Sequence, residues 1–327
     1  MRPILHCLGG PGSLACRAAF PWTTVSIVSH IPRSPSSAPD PATDSRVERP
    51  QVLWIGSGLD ADLRWARLQV AFEAEISDSS SPQAAALGPP EVFCDRSPAV
   101  ILLASPAPAV LGLCDLLPLR LRWPFAPLVS VASGLVDGRR RSGPPLPGID
   151  EVPWHDLAGR LAWWLADREA GRPGTLGLPA TARKEERFLE TSCGLRPPGE
   201  PVQVAVAARR AIDLEAIGDL VAAAGGVVAC RTCGRPALEQ PADVLVWDPG
   251  PPNEADLTWL GALVASRPQR RVVLLDSFPR VERVRAAVGA GALAVLGRPG
   301  SAEALAGTLL QASRSLGIGL GSSAHRP

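Results

Sequence analysis

Three kinds of residue grouping in this chain could do chemistry. Gly56-Ser57-Gly58-Leu59-Asp60-Ala61 follows the apolar run Val52 to Ile55 and opens a helical stretch. That is the setting of a dinucleotide-binding turn, in which Gly56 and Gly58 would let the backbone approach a pyrophosphate, with Glu73 or Glu75 placed for a ribose. The competing reading is an ordinary strand-to-helix turn, with Ser57 and Asp60 as helix caps. Cys230-Arg231-Thr232-Cys233 has redox or zinc spacing, but a zinc site needs two more ligands and no nearby pair supplies them. Two plain thiols are the preferred reading. The third grouping is a set of polar residues at the ends of apolar runs: Asp248, Asp276-Ser277 and Arg298.

These residues need elements to hold them, and the elements repeat. Val100 to Ala104 runs into Ser105-Pro106-Ala107-Pro108, and Val244 to Trp247 runs into Asp248-Pro249-Gly250-Pro251. Ser133 follows Ser105 by 28 positions, and Ser277 follows Asp248 by 29. A further strand ends at Pro153 in one copy and at Pro299 in the other. Each leads to a helix carrying Leu157-Ala158-Gly159-Arg160-Leu161 or Leu305-Ala306-Gly307-Thr308-Leu309. Two tandem units of one architecture follow from this.

The composition allows it. The chain has 327 residues, 46% of them hydrophobic, and a formal net charge of +1. That suits two cores and gives no global pull toward nucleic acid. Lys184 is the single lysine and tyrosine is absent. We read this as coding bias, since no binding chemistry requires it. Seven irregularly spaced cysteines point to a reducing, cytoplasmic setting. No apolar run reaches the length of a membrane span, and Ser13-Leu14-Ala15-Cys16 is a poor lipoprotein box.

Residues 1–50 read as a disordered arm, 51–170 as the first unit, 171–200 as a Gly/Pro linker, 201–316 as the second unit and 317–327 as a flexible tail. The linker has room for one helical turn around Arg183 to Glu190. In the first unit, residues 77–91 read as a loop, Pro118 ends the third helix, and Asp137 to Pro145 replaces the fourth helix by a loop. Short apolar strands alternating with helices predict an α/β fold of two doubly wound, five-stranded parallel sheets, flavodoxin-like, with the first copy eroded. Ligands of such sheets sit at the carboxyl ends of the strands.

On these residues the second unit resembles the receiver domain of two-component response regulators, over about 202–314. Asp243 to Pro251, Gly289-Ala290-Gly291-Ala292 and Arg298-Pro299 carry the likeness. The first unit, at about 51–168, looks like a more diverged copy. The resemblance implies a phospho-acceptor at Asp248, an acid pair at Ala207-Ala208, a hydroxyl at Ser277 beside Asp276, and a lysine position held by Arg298. Alanines cannot ligate Mg²⁺, so phosphorylation of Asp248 should be weak or absent. No cofactor is expected unless Asp248 is phosphorylated, when Mg²⁺ would be. In the first unit the same positions hold Gly56-Ser57, Ser105, Ser133 and Val152, and no phosphorylation is expected there.

Arginines 267, 270, 271, 280, 283 and 285 crowd the fourth-helix region of the second unit. A solvated face is the plain reading, and docking of an acidic partner the alternative. On the helix closing the first unit, Leu157, Leu161 and Trp164 share one face, while Trp163 points with Arg160 and Asp167. Trp163 is therefore expected to be largely exposed. Trp163 and Arg160 become interface candidates, with packing between the two units as the competing use. The expected protein is a non-enzymatic signalling or scaffold molecule that binds other signalling proteins or a second copy of itself. Membrane and nucleic acid are not expected partners. A phosphorylatable regulator using Asp248 and a nucleotide-binding protein using Gly56 and Gly58 are the alternatives.

Overall fold

The structure, a computed structural model, describes residues 49–56, 60–88, 97–108, 110–136, 148–172 and 200–317, with single positions between these ranges. The first sheet is built from β1 (Gln51–Ile55), β2 (Glu75–Ser79), β3 (Val100–Ser105), β4 (Leu128–Ala132) and β5 (Asp150–Pro153). Its helices are α1 (Ala61–Glu73), α2 (Pro82–Leu87), α3 (Leu113–Arg122) and α4 (Leu157–Glu169). The second sheet has β6 (Gln203–Ala208), β7 (Val227–Cys233), β8 (Val244–Asp248), β9 (Arg271–Asp276) and β10 (Ala292–Gly297). Around it lie α5 (Ala211–Ala223), α6 (Glu254–Ser266), α7 (Val281–Gly289) and α8 (Ala302–Ser315).

All strand pairs are parallel. The first sheet runs β2-β1-β3-β4-β5 and the second β7-β6-β8-β9-β10, which is one order used twice. The expected fold class is the observed one. Central strands such as Val-Ile-Leu-Leu-Ala-Ser of β3 and Val-Leu-Val-Trp-Asp of β8 are buried at every position, because helices cover both faces. Edge strand β7 instead alternates between exposed and half-buried residues.

Residues 77–91 are not simply a loop. They contribute the end of β2 and the short helix α2, whose amino end Ser81 caps by accepting a hydrogen bond from the Ala84 amide. The sequence Glu-Ile-Ser-Asp-Ser lacks an apolar run because β2 is an edge strand, so its pairing to β1 rather than its side chains defines it. Pro118 lies inside α3 instead of ending it. Leu116 and Leu119 bury against the sheet, and Arg122 donates to the carbonyls of Ala85, Ala86 and Gly88. This anchorage outweighs the one amide bond that proline removes. The run 137–145 falls outside the described residues, as do residues 1–48 of the arm and residues 318–327 of the tail; in the linker, Glu185, Glu186 and Leu189 are helical.

Both sheets belong to one compact unit, Glu48–Pro327. One hydrophobic cluster joins the α1 and α4 face of the first sheet to the core of the second. The opposite face of the first sheet has its own smaller core under α2 and α3. Helices α4 and α8 form the seam. Trp163 is 2% exposed and Trp164 4%, so the expectation of an exposed Trp163 is wrong. One side of α4 packs on its own sheet and the other on α8, and a helix covered on two sides has no free face for tryptophan. Arg160 also lies at this seam: its Nε donates to Ser301 Oγ at 3.2 Å, and its guanidinium is 3.5 Å from buried Glu303.

Candidate functional site

The carboxyl ends of β6, β8 and β10 bring together two acids and two arginines. Asp248 ends β8 and is 1% exposed. Its Oδ1 accepts the Gly250 amide at 2.9 Å, which folds the chain back over the strand end. Its Oδ2 accepts a hydrogen bond from Arg298, the residue after β10. A second nitrogen of the same guanidinium donates to Asp213 Oδ1 at 3.0 Å. Asp213 stands in the first turn of α5, where Arg210 grips both of its oxygens at 2.7 and 2.9 Å. The result is a chain of alternating charge, Arg210–Asp213–Arg298–Asp248. The Arg210 hydrogen bond, helped by Arg298, holds the Asp213 carboxyl below the usual carboxylate range.

Ala207 and Ala208 end β6 and are fully buried, with Ala208 in register beside Asp248. They bring methyl groups to the place where the resemblance puts an acid pair. Asp276 ends β9, where its Oδ1 accepts the Phe278 amide at 3.1 Å and its Oδ2 lies 3.3 Å from Arg283. It is thus committed to the start of α7. Ser277 follows, half-buried. Among the described residues, no group of three or more His, Cys, Asp or Glu is arranged to hold a metal ion. A guanidinium between Asp248 and Asp213 supplies the positive charge that a hard cation would bring. The donor set therefore does not fit Mg²⁺.

Asp213 and Arg210 were missed in the sequence. The signal was present as an Arg and an Asp three residues apart at a helix start, a spacing that allows them to pair.

The first unit has no carboxylate at the matching position. Ser133 Oγ donates to the Pro106 carbonyl at 2.8 Å and accepts the Leu135 amide, and Ser105 Oγ reaches the Ala107 carbonyl at 3.5 Å. Both serines are spent on their own loops. Val152 is fully buried in β5. Gly56 has φ +111°, and a Cβ there would lie 3.0 Å from that of Ala104. Close packing against β3 accounts for this glycine without a ligand. Gly58 and Ser57 lie outside the described residues, and Glu73 is engaged by Gln311 and Arg314 of α8.

Cys230 and Cys233 lie on the stretch of β7 that follows its register shift and pairs continuously with β6, where residues three apart point to opposite faces about 10 Å from each other. Cys230 Sγ donates to Gln240 Oε1 at 2.9 Å, and burial pushes its thiol pKa up. The grouped arginines do not share a solvated face. Arg270 is 1% exposed and donates to the Gln240 carbonyl at 3.0 Å, Arg267 pairs with Asp243, Arg283 with Asp276, and Arg285 lies over the Trp65 ring across the seam.

No protein-family model matches the chain, and no curated protein does. Solved structures similar to it include a protein described as pilus assembly-related from Burkholderia pseudomallei, at 25% identity over 37% of this chain and 96% of that one, with a TM-score of 0.33. A response regulator receiver domain from Clostridium thermocellum matches at 17% identity over 36% and 98%, with a TM-score of 0.31. The chemotaxis response regulator CheY4 of Vibrio cholerae matches at 19% over 34% and 98%, with a TM-score of 0.30. The strand order is what assigns the fold. The chain folds as two flavodoxin-like α/β units of one strand order, the order that receiver domains also use. Among the described residues, no helix is long and apolar enough to cross a membrane.

Proposed function

We propose that this tandem receiver-like chain is a signalling or scaffold protein that works through protein contacts and not through phosphoryl transfer. The observation carrying this reading is the Arg298 guanidinium spanning Asp248 and Asp213. Phosphoryl transfer to a carboxylate needs a cation to neutralise charge developing on phosphorus and an open oxygen to attack it. Here one Asp248 oxygen is held by Arg298 and the other by the Gly250 amide. The neighbouring strand end offers Ala207-Ala208 in place of oxygen ligands.

Trp247, next to Asp248, is a built-in reporter. The full-length protein is titrated with Mg²⁺ and beryllofluoride while tryptophan fluorescence is followed, and incubated with Mg²⁺ and acetyl phosphate for intact-mass measurement. The expected result is no saturable change and no added phosphoryl mass. A saturable signal, or added mass, that disappears in Asp248→Ala would overturn this reading in favour of a phosphorylatable regulator.

A further inference from the structure

The exposed positions of α3 carry no charge. Leu113, Leu117 and Leu121 recur every four residues and are 58%, 60% and 75% exposed, and Phe125, one step further, is 95% exposed. Cys114 and Pro124 are the other exposed residues between Leu113 and Phe125. Leu87, at the end of the adjoining α2, is 85% exposed. The charged residues of α3 are turned aside. Asp115 accepts from the Gly112 amide and Gln83, Arg120 donates to the Ala126 and Gly148 carbonyls, and Arg122 is held by the end of α2. Leu116 and Leu119 meanwhile bury against the sheet, so α3 is apolar on both its inner and outer faces.

A surface helix ordinarily keeps its outer face polar. The matching helix of the second unit does so: α6 exposes Glu254, Ala255, Thr258, Ala265 and Ser266. The fold therefore does not require the leucine stripe.

We propose that α3 is the surface on which a second copy of this chain docks, the two helices packing antiparallel about a two-fold axis between Leu117 and Leu121. Leu87, Leu113, Leu117, Leu121 and Phe125 together offer on the order of 500 Å² of apolar surface, as large as the biggest patch of a typical monomer. Doubled across a two-fold, this is on the order of 1,000 Å², the threshold for a specific interface. A two-fold interface must be self-complementary, and an uncharged stripe does not repel its own copy. The four-residue recurrence supplies ridges that interdigitate between two helices. The last helices of the two units, α4 and α8, are already buried against each other, whereas the leucine stripe of α3 is exposed.

Sedimentation velocity on the full-length chain, from about 1 to about 100 µM, tests this. The wild type is expected to pass from monomer to dimer with a micromolar midpoint. Leu117→Lys and Leu121→Glu should each stay monomeric with unchanged circular dichroism, and Phe125→Glu should weaken the dimer at least tenfold. Mixing Leu117→Lys with Leu121→Glu should restore a dimer, because the introduced charges face each other across the axis. A wild type that is monomeric at the highest concentration overturns the proposal and leaves the stripe to a different protein. A dimer that survives both leucine substitutions also overturns it.

Discussion

Gly159 and Gly307 hold the same place in two copies of one helix motif, and their backbones touch. A methyl group on Gly307 would overlap the Gly159 carbonyl oxygen, and one on Gly159 would overlap the Ala304 carbonyl. The seam between the units thus depends on two missing side chains. Glycine in mid-helix costs about 1 kcal/mol relative to alanine, and here close approach of α4 and α8 offsets that cost. The seam then closes with Arg160 on Ser301 and Glu303, Asp156 accepting the Gly297 amide at 3.1 Å, and Glu73 meeting Gln311.

Gly307→Ala should therefore lower stability by about 3 kcal/mol, read as a shifted urea midpoint. Gly289→Ala is the control. A Cβ at Gly289 meets nothing within 4 Å, so that change should be neutral or slightly stabilising.

Arg298→Met leaves Asp248 buried beside a thioether. The expected loss is about 2 kcal/mol at pH 7, reduced from the fully buried case because Arg298 is 27% exposed. Adding Asp248→Asn should recover part of it, since the pair acts as one unit. Equal and additive losses in chemical denaturation would mean that the two residues do not interact.

The pH dependence follows from Asp213. Its folded pKa is depressed, so the carboxylate stabilises the fold fully above the ordinary aspartate value of about 3.9. That stabilisation disappears as pH falls through the lower folded value. The stability gap between wild type and Asp213→Asn should be present at neutral pH and close in strong acid, as measured by thermal melts across the range.

Cys230 should react more slowly than Cys233 with iodoacetamide near pH 8. Its raised pKa and half-buried sulfur lower the thiolate fraction and the access, whereas Cys233 is exposed. Peptide mass spectrometry distinguishes the two sites. Equal rates would show that the Cys230–Gln240 bond does not persist in solution.

Arg270→Ala should cost about 3 kcal/mol, because the Gln240 carbonyl loses a donor and a fully buried side chain leaves a cavity. Arg280→Ala, at an exposed helix start, should change stability by less than about 0.5 kcal/mol. Denaturant midpoints check both.

Much of the architecture was readable in the chain. Apolar runs such as Val244 to Trp247 can be buried on both faces only in a covered parallel sheet, and the repeated spacing to Ser133 and Ser277 announced two copies. The strand-end residues Asp248 and Arg298 were also legible, since a parallel sheet places them at its rim. What stayed hidden depended on contacts between distant segments. The Arg298 guanidinium reaches Asp213 and Asp248 across 85 and 50 positions, and no local pattern encodes that bridge. Trp163 lies on what helical periodicity marks as the outer face of α4, and it is buried because α8, about 140 residues later, covers that face. Periodicity reports which residues share a side of one helix. Which neighbour arrives to cover that side is set by packing between helices, and here by two glycines that allow them to touch.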